Sequence, residues 1–137
     1  MAGRDLDFRG ELMTPTASVR KVLFIDDEPM LTKLAAALLG ALGFEGAVYV
    51  RADEAIAAFR AQPDAYVAAF TDLSMPQMSG FEVARALLQI RRELPVFVMS
   101  GNVGHEARAQ ALELGAREVV NKPISMAQMR DMLARVT

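Results

Sequence analysis

From Lys21 onward the chain alternates short apolar runs with longer stretches in which apolar residues recur every three or four positions. The runs are Val22 to Ile25, Ala47 to Val50, Tyr66 to Phe70, Val96 to Met99 and Val119 to Val120. Most are continuously apolar, the pattern of strands buried on both faces. The stretches between them predict helices. In the first, Pro29 suits an opening turn, Leu31, Leu34, Ala35, Leu38 and Leu42 keep one face apolar, and Gly43 provides a stop. The second runs from about Asp53 to Gln62 with Ala55, Ile56 and Phe59 inward. The third runs from Phe81 to about Glu93 with Val83, Ala84, Leu87 and Leu88 inward, and Pro95 bars its continuation. The fourth opens near His105 and ends at Leu114 before Gly115. The fifth is marked by Ser125 and Gln128 at capping-box spacing, flanked by Ile124 and Met129 as a hydrophobic staple.

Five such β-α repeats predict an α/β fold, a doubly wound parallel sheet with helices on both faces, because each parallel crossover is right-handed and returns a helix over the sheet. Residues 1–20 mix charged residues with Gly, Pro and Thr without a sustained apolar period and read as a linker or flexible tail, leaving 21–137 as one folded domain.

Composition narrows the function classes. At 137 residues, 53% of them hydrophobic, the chain is long enough to bury a core without covalent staples. A net charge of −2 offers no basic footprint for nucleic acid. The absence of cysteine excludes disulfides, thiolate zinc sites and cysteine nucleophiles. No apolar run approaches the roughly 20 residues that span a bilayer, so the expectation is a cytoplasmic protein with no membrane contact through this segment.

The chemistry lies where the strands end. In open parallel sheets the functional crevice lies beyond their carboxyl ends. Asp26, Asp27 and Glu28 follow the first strand, Asp72 the third, Ser100 the fourth and Lys122 the fifth. Carboxylates gathered there repel one another and raise each other's pKa unless a cation intervenes, and oxygen-only ligands favour Mg2+. With the ion screening an incoming phosphoryl group, a carboxylate can act as nucleophile; Lys122 can neutralise phosphoryl charge and Ser100 can donate a hydrogen bond to it.

The segments Phe24-Ile25-Asp26-Asp27-Glu28-Pro29, Asp72-Leu73-Ser74-Met75-Pro76-Gln77-Met78-Ser79-Gly80, Val98-Met99-Ser100-Gly101 and Asn121-Lys122-Pro123 resemble the receiver domains of two-component signalling, over nearly all of Lys21 to Val136. The resemblance implies a flavodoxin-like sheet of strand order 2-1-3-4-5 with five helices. It implies Asp72 as acceptor of a phosphoryl group from the phosphohistidine of a histidine kinase or phosphotransfer protein. Asp26, Asp27, Asp72 and the backbone carbonyl of Ser74 then hold Mg2+, with Ser100 and Lys122 as switch hydroxyl and lysine. It also implies a cis peptide before Pro123 and a downstream target protein, the receiver acting as a monomer or weak homodimer. Catalysis is then confined to its own phosphorylation and dephosphorylation. One position departs from the pattern: three residues before the lysine the family commonly has Tyr or Phe, and here stands Val119.

Other residues have blander readings. His105 reads as a solvated first-turn residue rather than a phosphohistidine. Met99, Met129 and Met132 read as core filler, whereas Met75 and Met78, in a loop beside the site, are candidates to touch a partner. Arg91 and Arg92 read as favourable charge at a helix C-terminus. Two rival functions remain. An aspartyl-nucleophile, magnesium-dependent phosphatase usually has a second Asp two residues after the nucleophile, where Ser74 stands. A degenerate receiver serving only as an interaction module is favoured if Asp27, Asp72 or Lys122 is missing, and all three are present. The residues before Lys21 and the wording around Asp72 lean toward the terminal receiver of a hybrid kinase over a free-standing one.

Overall fold

The computed structural model describes residues 20–102 and 104–137; the tail expected at residues 1–20 lies outside them except for Arg20. Five strands, β1 (Lys21–Ile25), β2 (Glu45–Tyr49), β3 (Tyr66–Asp72), β4 (Val96–Ser100) and β5 (Glu118–Asn121), form one parallel sheet in the order β2-β1-β3-β4-β5. Between and after them run α1 (Pro29–Ala41), α2 (Ala52–Ala61), α3 (Gly80–Ile90), α4 (His105–Leu114) and α5 (Met126–Val136). The doubly wound order and the five helices are those expected. No helix among the described residues is long and apolar enough to cross a membrane.

The continuous apolar strands supply both faces of the sheet. Val22 and Phe24 face one way, with Phe70, Phe97, Met99, Met129, Met132 and Leu133, beneath α1 and α5. Leu23 and Ile25 face the other, with Ile56, Phe59, Val83 and Leu87 of α2 and α3. Stacked rings of Phe70 and Phe97, 4.8 Å between centroids, tie the central strands together. A smaller cluster of Val98, Ala111, Ala116 and Val119 lies under α4, whose only buried residue is Ala111.

Three expectations shift. In α1 the buried stripe is Thr32, Ala35 and Leu39, while Leu34 is 54% exposed and Leu31 and Leu38 are half-buried. The reason is close packing on β2: a Cβ added at Gly46 would lie 3.1 Å from both Ala36 Cα and Leu39 Cδ1, so the helix rests on the glycine through its small-residue side. Secondly, α3 stops at Ile90, short of Glu93. Arg91 there leaves the helical conformation and its Nη1 donates to the carbonyls of Pro63 and Tyr66, pinning the chain before β3 rather than serving only the helix end. Thirdly, Met75 and Met78 are partly buried against the α2/α3 core, which removes much of their surface from a partner. The capping box at Ser125 and Gln128 forms as expected, with both hydrogen bonds present.

Candidate functional site

Each strand delivers one polar group to the same edge of the sheet. Asp26 directly follows β1 and extends its ladder, its backbone N–H donating to Tyr49 O at 3.1 Å. Its carboxylate is fully buried and doubly engaged: Oδ1 accepts the Glu28 backbone N–H at 3.0 Å and Oδ2 accepts Lys122 Nζ at 2.8 Å. A buried carboxylate without such partners would cost several kcal/mol. Asp72 ends β3, and its Oδ1 lies 3.4 Å from Lys122 Nζ. Asp27, half-buried, completes a cluster in which one carboxylate oxygen each from Asp26, Asp27 and Asp72 lies within 4.8 Å of the others. Glu28 stays outside it, exposed at the N-cap of α1.

The electrostatics follow from that crowding. Burial raises the Asp72 pKa above the ordinary carboxylate value, the charge of Asp26 raises it further and Asp27 adds a smaller push, with Lys122 only partly opposing. Burial works against the Lys122 ammonium, yet its pKa ends above the usual lysine value, because the hydrogen bond and charge of Asp26, and then Asp72, outweigh desolvation. Three carboxylates thus share one ammonium. An oxygen-only cluster short of positive charge fits a hard divalent cation.

Ser100 ends β4 opposite Asn121, and the Lys122 N–H donates to its carbonyl at 2.9 Å. Its hydroxyl is closed on its own turn, accepting Asn102 N–H at 3.2 Å and reaching Asn102 O at 3.3 Å. Lys122 follows β5, and its bond to Pro123 is cis. Ser74 stands two residues beyond Asp72, exposed at the start of the loop to α3. Val119 is buried, and its carbonyl accepts Arg108 Nη1 of α4 at 3.2 Å. His105 is the exposed first residue of α4.

Two supports of Asp72 were not read from the sequence. The Thr71 hydroxyl, fully buried, donates to the Asp72 carbonyl at 3.1 Å. Gly80 opens α3 directly against the Asp72 backbone: its N–H donates to Leu73 O at 2.8 Å, and a Cβ there would meet the Asp72 carbonyl oxygen and approach Leu73 Cα to 2.7 Å. Ser79 holds this helix start by a full capping box with Glu82. The Ser-x-x-Glu spacing was available as a signal; the steric need for glycine was not.

Known proteins match this arrangement. The family model for the response regulator receiver domain matches residues 22–134. A protein-glutamate methylesterase/protein-glutamine glutaminase of Cereibacter sphaeroides is 40% identical over 89 residues, 56% of this chain and 24% of that protein. The sensory transduction protein RegX3 of Mycobacterium bovis is 35% identical over 116 residues, 84% of this chain and 48% of that protein. The chain thus spans at most about half the length of these curated relatives. Among solved structures, a response regulator receiver domain protein of Clostridium thermocellum superposes with a TM-score of 0.81 at 24% identity, covering 85% of this chain and 93% of the other. With the fold, the acidic edge and the family match in agreement, the chain belongs to the response regulator receiver domains of two-component signalling.

Proposed function

We propose that this receiver, spanning 21–137, is a phosphoacceptor switch in which Asp72 takes a phosphoryl group from the phosphohistidine of a histidine kinase or phosphotransfer protein and then signals to a downstream protein. The observation that carries this reading is the convergence of Asp26, Asp27, Asp72 and Lys122 at the strand ends, three carboxylates within 4.8 Å around one ammonium. In the transfer, an Asp72 carboxylate oxygen forms the new O–P bond while the N–P bond of the donor breaks and its electron pair stays on the leaving imidazole. Lys122 is within reach of the added negative charge, and Ser100 gives up its turn to Asn102 to donate to a phosphoryl oxygen. Asp26, Asp27, Asp72 and the Ser74 carbonyl are the groups to hold Mg2+, which when bound supplies charge screening of the phosphoryl oxygens.

A groove of about 280 Å3 runs from Asp26 and Lys122 along α1, rimmed by Leu31 and Leu34, and offers an apolar approach for the donor. The test is labelling by a small phosphodonor with Mg2+. Wild type should carry a base-labile phosphate and Asp72→Asn none; labelling that persists in the variant would overturn the assignment. The phosphatase alternative lacks a second carboxylate at Ser74, and no observation favours it.

A further inference from the structure

The seam between α1 and α5 holds two depressions. The one beside the site is lined by Leu31, Leu34, Leu38, Ile124 and Met129. The one at the far end of the helices is lined by Leu42, Phe44, Leu133 and by Arg20 itself. Leu38 and Leu42, like Met129 and Leu133, are four residues apart and so one helical turn, which makes the two depressions parts of one apolar channel. Met30, 76% exposed, and Leu34 lie beside its upper end. Large exposed apolar side chains gathered beside a groove mark a surface that something covers.

The channel begins where residues 1–19 join the fold. Arg20 lies over the Phe44 ring, its guanidinium carbon 4.6 Å from the centroid, which fixes the direction from which the preceding chain arrives. The α1 helix is about 20 Å long at 1.5 Å per residue. Residues 14–19 in extended form cover about the same distance at roughly 3.3 Å per residue. Their sequence, Thr14-Pro15-Thr16-Ala17-Ser18-Val19, holds no side chain larger than valine, and Pro15 suits an extended path. Immediately beyond this spacer come Leu12 and Met13, with Phe8 and Leu6 further back.

We propose that residues 1–19 occupy the α1/α5 channel of their own chain, with Leu12 and Met13 in the depression beside Lys122, as an intramolecular cover over the approach to Asp72. A short tether holds such a segment at millimolar effective concentration, so modest apolar contacts suffice. A phosphodonor must then displace it, which makes it a brake on protein-mediated phosphotransfer. That consequence rests on the function proposed above; the docking does not.

The absence of native cysteine allows a single site for a nitroxide label at Thr14→Cys in the full chain. In the unphosphorylated protein without Mg2+, the label should suppress side-chain methyl signals of Leu34, Leu38, Ile124 and Met129 while sparing Ile56 and Leu87 on the opposite face of the sheet. Substituting Leu12→Asp and Met13→Asp together should restore the suppressed signals. Even suppression over both faces overturns the proposal, as does suppression that survives the double substitution. Suppression seen only when nitroxide and isotope label are on different molecules assigns the channel to a second copy and also overturns it. Small-donor labelling of Asp72 tests the phosphoacceptor function separately, so either can fail alone.

Discussion

Lys122 Nζ lies closer to Asp26 Oδ2, at 2.8 Å, than to any atom of the proposed acceptor, which it approaches to 3.4 Å. The ammonium is therefore committed first to the carboxylate that does not react, and Asp72 is left under-neutralised.

A pH dependence follows. Without divalent ions, Asp72 should titrate above the ordinary carboxylate value, and Asp26→Asn, which removes a principal like charge, should move its midpoint down. Because the folded pKa is raised, the native state binds more protons than the unfolded one between the unfolded and folded pKa values. Stability then falls as pH rises through that window and stays lowered above it. Asp72→Asn should consequently stabilise the metal-free protein at neutral pH, with the advantage shrinking on acidification. Carboxyl carbon-13 titration and denaturant melts at two pH values check this; a midpoint at or below the usual value defeats it.

Magnesium should reverse that penalty. An ion bound only by the folded state adds about 2.7 kcal/mol at a hundredfold excess over its Kd. Asp26 already has both oxygens engaged by Lys122 and the Glu28 N–H, whereas no hydrogen bond to the Asp27 carboxylate is found among the described residues. Asp27→Asn should thus lose more Mg2+-dependent stabilisation than Asp26→Asn. Equal magnesium affinity in wild type and both variants counts against the site.

Gly80→Ala should destabilise the fold by about 1–3 kcal/mol, the range for overpacking a close contact. The added Cβ meets backbone, the Asp72 carbonyl and Leu73 Cα, which cannot swing aside like a side-chain tip. A urea melt gives the loss, and a variant as stable as wild type shows that α3 slides away freely.

The signal should leave through the turn after Ser100 rather than through β5. Releasing the Ser100 hydroxyl from Asn102 frees a segment flanked by Gly101 and Gly104. Val119, only 2% exposed and β-branched, has no ring to move between exposed and buried positions. Beryllofluoride should give amide shifts that are largest from Ser100 to Ala111 and modest at Val119. Ser100→Ala should suppress them, and a largest shift at Val119 refutes the route. Val119→Tyr should enlarge the β5 response, at an overpacking cost of about 1–3 kcal/mol.

The strands and the order of the site residues were legible because parallel strands buried on both faces are written as continuous apolar runs, with the reactive groups at their ends. The inward face of α1 was not. Leu31, Leu34 and Leu38 form a stripe as regular as Thr32, Ala35 and Leu39, offset by one residue, and periodicity alone favours the bulkier set. Gly46, on a strand distant in sequence, decides between them by letting the small side approach. The end of α3 was hidden for a similar reason, since Arg91 answers to the carbonyls of Pro63 and Tyr66 far from it in the chain.

The shallow seating of α4 has an energetic corollary. With Ala111 as its sole buried residue and the Arg108 bond to Val119 O as its side-chain tie to β5, little apolar surface is exposed when the helix lifts. Opening free energies vary across a fold with such local burial. The amides of α4 should accordingly exchange with solvent through subglobal opening well before those of β1 and β3, so that the least costly element to detach is also the one covalently joined to Ser100 by the shortest linker.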